Sequence, residues 1–318
     1  MFLVRFFVML VGLFVAWCFI VFGQSGNPTA GSQWIYDVYT KKVEIAKSIR
    51  EKKMLIVSGS NALFGIDSGM IERELGIRVV NFGVNAGVML PYTLYKAKEV
   101  IDWGDVVLMP LEYPMYSYDG VPNSQMIDYI FSRDIDAFFA LTLKEQFYML
   151  WSITFDRVYD GYFYQGGSKV TSGLYRVGNI DEHGDQINTA VRYRSTDMIR
   201  ERDGIKAKRY GHEYNKRALG WEYLEEFVSW CEKREVKVIF MPSTIMRDKS
   251  YYGDEQERWF YKNIDNEIRN RGWRYVGKPY DYMYDRELYL NTPFHLVKRG
   301  KEMRTKRILK SREWRIYF

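Results

Sequence analysis

The sequence predicts an α/β fold, with a parallel sheet covered by helices on both faces and an apolar helix at the N-terminus. Three observations predict it. Short apolar runs recur along the chain, each apolar at both alternating positions. Segments with helical spacing separate them. Residues 1–22 form one apolar stretch with a single charge, Arg5. A strand that is apolar at every position is buried on both faces, as in a parallel sheet between helical layers.

The N-terminal stretch, MFLVRFFVMLVGLFVAWCFIVF, is long enough to span hydrocarbon, which takes about 17–25 apolar residues. Its end is bulky, FIVFGQSG, with no small-residue cleavage site, and Trp17 before Cys18 spoils a lipid-attachment box. It therefore reads as an uncleaved signal anchor, with cleavage as the alternative. Arg5 and the amino terminus are the positive charges before the span. They favour a cytoplasmic N-terminus and an extracytoplasmic bulk, periplasmic or on the outer surface. Residues 23–33, GQSGNPTAGSQ, read as a short tether. The plan is an anchor over 1–22 and one α/β domain over 23–318.

Within that domain, MLIV (54–57), RVV (78–80), DVVLM (105–109), VKVIF (236–240) and WRYV (273–276) read as strands. A helix follows from Asp67, capped by Asp67 or Ser68. Leu90, Leu94, Ala97 and Ile101 mark the next helix face. Leu219, Tyr223, Phe227, Val228 and Cys231 mark another. A charged helix spans about 254–271, and a last helix starts at Lys298. This order is that of a flavodoxin-like, doubly wound sheet, whose ligands bind at the carboxyl ends of the strands.

Residues from about 115 to 212 break the alternation and read as a largely helical insertion over the strand ends. They include the aromatic AFFALTLKEQFYMLW and the Gly/Tyr-rich DGYFYQGGSK. Lys144 and Glu145 argue against a second membrane span near 137–155 and for a buried or interfacial helix.

Composition narrows the chemistry. Net charge is +6, too diffuse to argue nucleic acid. The basic tail, KEMRTKRILKSREWRIYF, reads as a solvated helix face. Two cysteines, Cys18 and Cys231, and three histidines, His183, His212 and His295, leave no pattern for a metal site. No phosphate-binding G-x-x-x-x-G-K-[ST] loop is present, and no cofactor is implied. Abundant Tyr and Trp suit cores and membrane interfaces, and also sugar faces.

LIVSGSNALFGID runs from strand through a sharp turn toward a helix, and Ser60 stands at the strand's carboxyl end. A serine hydroxyl needs a base, and His295 lies in the loop before the last helix, in YLNTPFHLVKRGKEMRT. Fold topology brings these two segments together at the strand ends.

GSNALFGID resembles the first block of the SGNH/GDSL superfamily, particularly the G-S-S-x-x-x-x-G-I form of membrane-associated polysaccharide acyl-transfer proteins. VVNFGVNAG resembles the second block and LNTPFHLVKRGKEMRT the last, with His295 and Gly300 matching. The resemblance implies Ser60 as nucleophile, His295 as base and Gly83 as an oxyanion donor. It departs at two places. Asn291 and Thr292 stand where the family carries an acid before the histidine. Asn291 can orient the imidazole without charge, or Asp281 or Asp285 takes that role. The third block's asparagine is replaced by Glu112, read as a structural pair or a ligand of an acceptor hydroxyl, with Asn85 as a substitute donor. The implied activity is acyl-ester chemistry, O-acetyl transfer or hydrolysis, on a cell-surface polysaccharide, supplied by a membrane-embedded acyl-donor protein. The alternative is a non-catalytic glycan-binding or scaffold subunit with a degenerate fold.

Overall fold

The computed structural model describes residues 1–164 and 173–315. Residues 165–172, which include the second half of the Gly/Tyr-rich stretch, and the tail residues 316–318 lie outside the described residues.

Helix α1 (Phe2–Gly23) buries only Val21 and is long and apolar enough to cross a membrane. The segment expected to be a tether is packed instead, with Gln24, Thr29 and Ser32 buried. Thr29 Oγ1 donates to Asp128 at 2.8 Å, and Arg133 Nε donates to Ser32 Oγ at 2.8 Å. Its Gly and Ser content suggested a loose chain, but its short polar side chains find partners in the insertion. Helix α2 (Gln33–Ser48) follows, burying Ile35, Val38, Tyr39, Lys42 and Ala46 along one stripe.

The strands fall where the apolar runs predict. They are β1 (Lys53–Ile56), β2 (Arg78–Asn81), β3 (Val106–Met109) and β4 (Lys237–Phe240). The pair β5 (Ile245–Met246) and β7 (Met283–Tyr284) forms a separate two-stranded ladder, and β6 (Arg274–Tyr275) closes the main sheet. The main sheet is parallel throughout, in the order β2-β1-β3-β4-β6. Leu55, Val80, Val107 and Val238 join one apolar cluster, and Met54, Ile56, Val79, Leu108 and Ile239 join another. Successive residues thus face opposite helical layers, which is why the runs are apolar at both parities.

Helices α3 (Ser60–Gly65), α4 (Ser68–Leu75) and α5 (Met89–Lys98) follow the first two strands. Asp67 caps α4 by accepting from Met70 N at 2.8 Å. The insertion carries α6 (Tyr113–Tyr116), α7 (Ser124–Arg133), α8 (Asp136–Phe139), α9 (Leu143–Ser152) and α10 (Phe155–Phe163). It continues through α11 (Thr196–Asp203) and α12 (Tyr210–Glu213). It does return over the strand ends. Asn81 N donates to the His183 carbonyl at 2.8 Å, and Gln186 N donates to that of Leu63 at 3.1 Å. Buried Asp185 accepts from Ser68 N at 2.6 Å and Asn81 Nδ2 at 2.7 Å, which ties the insertion to edge strand β2.

Helices α13 (Leu219–Glu232), α14 (Ser250–Gly253), α15 (Glu255–Arg269), α16 (Lys298–Lys310) and α17 (Arg312–Arg315) complete the chain. The basic tail is not simply a solvated face, because Lys301 and Arg304 of α16 are buried. Arg304 donates to the carbonyls of Asn61 (2.9 Å) and Pro242 (3.1 Å), and Lys301 to that of Gln186 (3.1 Å). Loop carbonyls at the sheet's end lack ladder partners, and these cations supply them.

Candidate active site

The strand order reverses between β1 and β3, so the crevice at their carboxyl ends is where a ligand fits a sheet of this kind. Ser60 follows β1 and Glu112 follows β3 at that point. Helix α3 begins on Ser60 itself. Its cap residue, Gly59, has no side chain to satisfy the helix's first amides. Glu112 does so from the next strand. It is buried and accepts from Gly59 N at 3.0 Å, Asn61 N at 2.9 Å and Ser58 Oγ at 2.9 Å. Both of its oxygens are therefore engaged within the protein. A side chain at position 59 would stand 2.6 Å from Glu112 Oε1 and 2.7 Å from Ala86 N, so glycine is required for this close approach. Among the described residues, neither the amide nor the hydroxyl of half-buried Ser60 has a partner.

Gly83 lies against the same turn, and a Cβ there would come within 2.5 Å of the Gly59 carbonyl. Its N–H donates to Asn81 Oδ1 at 3.1 Å and is thus already engaged. Its carbonyl accepts from Lys42 Nζ. Burial pushes the Lys42 ammonium down to about 7, against the opposing pull of Asp185 and Asp181. Asn85 uses Oδ1 to accept from Gly87 N at 2.6 Å. Its amide nitrogen has no partner among the described residues, so the free donors near the Ser60 turn are Ser60 N–H and Asn85 Nδ2.

His295 is buried and stacks on Phe64, with ring centroids 4.0 Å apart and planes 16° from parallel. Phe64 is one turn along α3 from Ser60, on the same helix face, about 6 Å further along the axis. The imidazole thus packs on a side chain of the helix that Ser60 begins. No hydrogen bond joins the two among the described residues.

Asn291 contacts the other side of the ring, its Oδ1 lying 3.1 Å from His295 Nδ1. Its Nδ2 donates to Tyr175 Oη at 3.0 Å and to Glu201 Oε2 at 3.2 Å. These two acceptors turn the amide oxygen toward the histidine. That places the imidazole proton on Nδ1 and leaves Nε2 with its lone pair. Burial pushes the ring down to about 3, so it is neutral over the physiological range. Asp281 and Asp285 do not orient it. They pair with Arg307 at 3.2 Å and Arg247 at 2.7 Å.

Phe64, Tyr175 and Glu201 were missed by sequence reasoning. Phe64 carried a signal, four residues beyond a candidate nucleophile on a helix. Tyr175 and Glu201 carried none, because the insertion brings them in from afar. An open cleft of about 670 Å³ lies nearby, lined in part by Gln125, Asp128, Asp156, Arg157 and Asp160. Gln125 abuts Gly87 on the turn that carries Asn85.

Elsewhere, His212, Asp254 and Glu257 gather, but Arg209 fills a cation's place by bonding to His212 (2.7 Å) and Asp254. In comparisons with family models, curated proteins and solved structures, the chain matches none.

Proposed function

We propose that the chain is an SGNH-like, flavodoxin-type serine enzyme carrying out acyl-ester chemistry on a cell-envelope or exported polysaccharide. The observation that supports it is the imidazole stacked on Phe64, one turn from Ser60, with Nδ1 held by Asn291 and Nε2 bare. Ser60 Oγ attacks the acyl carbonyl as its proton passes to His295 Nε2. The oxyanion accepts from Ser60 N–H and Asn85 Nδ2. His295 returns the proton to the leaving group, and the acyl group stays on Ser60. A sugar hydroxyl, or water, then attacks that ester while Nε2 takes its proton, and Ser60 leaves with it. The neutral ring has its Nε2 lone pair available, and the burial that holds it near 3 has to be relieved for it to carry the proton it takes. Approach of Nε2 to Oγ accompanies substrate binding, since catalytic hydrogen bonds tighten in the bound state.

Helix α1 serves as an uncleaved, single-pass anchor, with the domain outside the cytoplasm. Phe22, near its end, packs on Phe131, Phe138 and Phe139, which favours its retention in the mature chain. A membrane-embedded acyl-donor protein is the partner that such a placement suits.

The second reading, a glycan-binding or scaffold subunit, is favoured by the engaged Gly83 N–H and by the absence of any acid touching His295 among the described residues. A serine-directed fluorophosphonate separates the two. The enzyme reading expects labelling of the folded chain that is lost in Ser60→Ala. A folded chain that resists labelling supports the scaffold.

A further inference from the structure

Helices α9 and α10 present large apolar side chains away from the fold. On α9, Leu143, Phe147 and Trp151 recur every four residues and are exposed. On α10, Phe155, Tyr159 and Phe163 do the same. Each helix thus turns one apolar stripe outward and buries other residues inward, among them Glu145, Met149 and Val158. The inward polar groups are matched. Glu145 accepts from Tyr118 Oη at 2.6 Å, and Arg157 donates to Gln24 Oε1 at 2.6 Å. A monomer in water rarely exposes so continuous an aromatic surface.

This surface is continuous with α1. Phe14 packs on Phe147 with centroids 5.8 Å apart, and Trp17 packs on Phe155 at 5.0 Å. Trp17 Nε1 donates to the Leu150 carbonyl at 2.8 Å. Tyr162 Oη donates to the Ile20 carbonyl at 2.9 Å. Both carbonyls lie in last turns, where helices leave them unpaired. The contact therefore satisfies the polar groups that hydrocarbon could not.

At 1.5 Å per residue, Trp17 lies about 9 Å and Phe14 about 13 Å before the end of α1. Both depths fall within the half-thickness of a hydrocarbon core about 30 Å across.

We propose that α9 and α10 lie in the outer face of the lipid bilayer beside α1, with the two stripes in contact with acyl chains. This rests on the reading of α1 as an anchor. The two helices add a second attachment, which stops the domain turning about α1. The exposed Lys144, with Nζ 5.7 Å from the Tyr148 ring centre, keeps its charge at the headgroups.

The test is nitroxide depth measurement on the full chain in vesicles of phosphatidylcholine and phosphatidylglycerol. Cys18 and Cys231 are replaced by alanine, and single labels enter through Phe147→Cys, Trp151→Cys or Phe155→Cys. Val8→Cys reports on α1. Trp103→Cys, exposed before β3, reports on water. All of these side chains except Cys231 are at least partly accessible, so labelling does not require opening the core.

The inference expects oxygen to outcompete a water-soluble nickel chelate at 147, 151, 155 and 8, and the reverse at 103. Water access at 147, 151 and 155 with Val8 in lipid overturns the placement of α9 and α10 and leaves the anchor standing. Water access at Val8 as well overturns both. Labels at 147, 151 and 155 shielded from both reagents mean that protein covers the stripes, which also overturns the inference.

Discussion

Ser60 and His295 come from segments held by different kinds of contact. The turn before Ser60 is fixed from several sides within the core. Glu112 takes two amides and the Ser58 hydroxyl, Asn61 Nδ2 donates to Ser58 Oγ at 2.7 Å, and Arg304 takes the Asn61 carbonyl. His295 is held by a ring stack and by two polar contacts at Nδ1, Asn291 Oδ1 at 3.1 Å and Tyr175 Oη at 3.3 Å, and the Asn291 amide is set in turn by Tyr175 and the exposed Glu201. A network buried from water is rigid and costly to break, while one reaching the surface is adjustable. The turn that carries Ser60 is thus fixed by the sheet, while the imidazole of His295 depends on partners that the insertion brings in.

The sharpest way to break this contrast is at Glu112. Glu112→Ala leaves the buried amides of Gly59 and Asn61 without an acceptor and removes a negative charge that favours the buried Arg304. It is expected to cost about 3–5 kcal/mol of stability in urea denaturation. Glu112→Gln keeps the volume and part of the acceptance, and should cost less, about 1–3 kcal/mol. An alanine variant within about 1 kcal/mol of the parent would show that the turn is held by something else.

His295 gives a smaller effect, visible against pH. Its folded value, about 3, lies below its ordinary 6.5, because burial disfavours the charged ring. Between those values the unfolded chain binds a proton that the folded chain does not, so stability rises with pH there. The contribution is complete above about pH 6.5 and is lost as the pH falls toward 3. Thermal melts from pH 4 to 8 should show the parent weakening with acid more steeply than His295→Gln. Parallel curves would mean that the ring is not buried in solution.

What could be read from the sequence follows the same division. The main strands and the longer helices follow from apolar spacing, because the sheet is buried on both faces and spacing is all that burial requires. Helix α2 carries the same spacing in Ile35, Val38, Tyr39 and Ala46, though it is not among the helices read from the sequence. Ser60, His295 and Asn291 stood out by motif order. Helix α3, six residues long, could not, because its first amides are satisfied by Glu112 from another strand. Nor could the role of Arg304, which looks like one more surface cation until its helix docks. The Tyr175 and Glu201 contacts join positions 116 and 90 residues from Asn291, and no local pattern encodes them.

The smallest expected effect addresses why position 291 is an asparagine. Glu201 Oε2 lies 3.2 Å from Asn291 Nδ2, so an acid at 291 would face a like charge. Asparagine fits because it donates to Glu201 and accepts from His295 at once. Asn291→Asp alone should therefore not speed fluorophosphonate labelling, even though it restores a carboxylate beside the imidazole. Combined with Glu201→Gln, the repulsion becomes a hydrogen bond, and the aspartate can stabilise the charged ring. The double variant should label faster than Asn291→Asp alone, by about fivefold for roughly 1 kcal/mol of coupling. Glu201→Gln alone, at an exposed site, should change stability by no more than about 0.5 kcal/mol. Additive rates across the four proteins would show that Glu201 does not act through Asn291, and would leave the orientation of His295 to Asn291 and Tyr175.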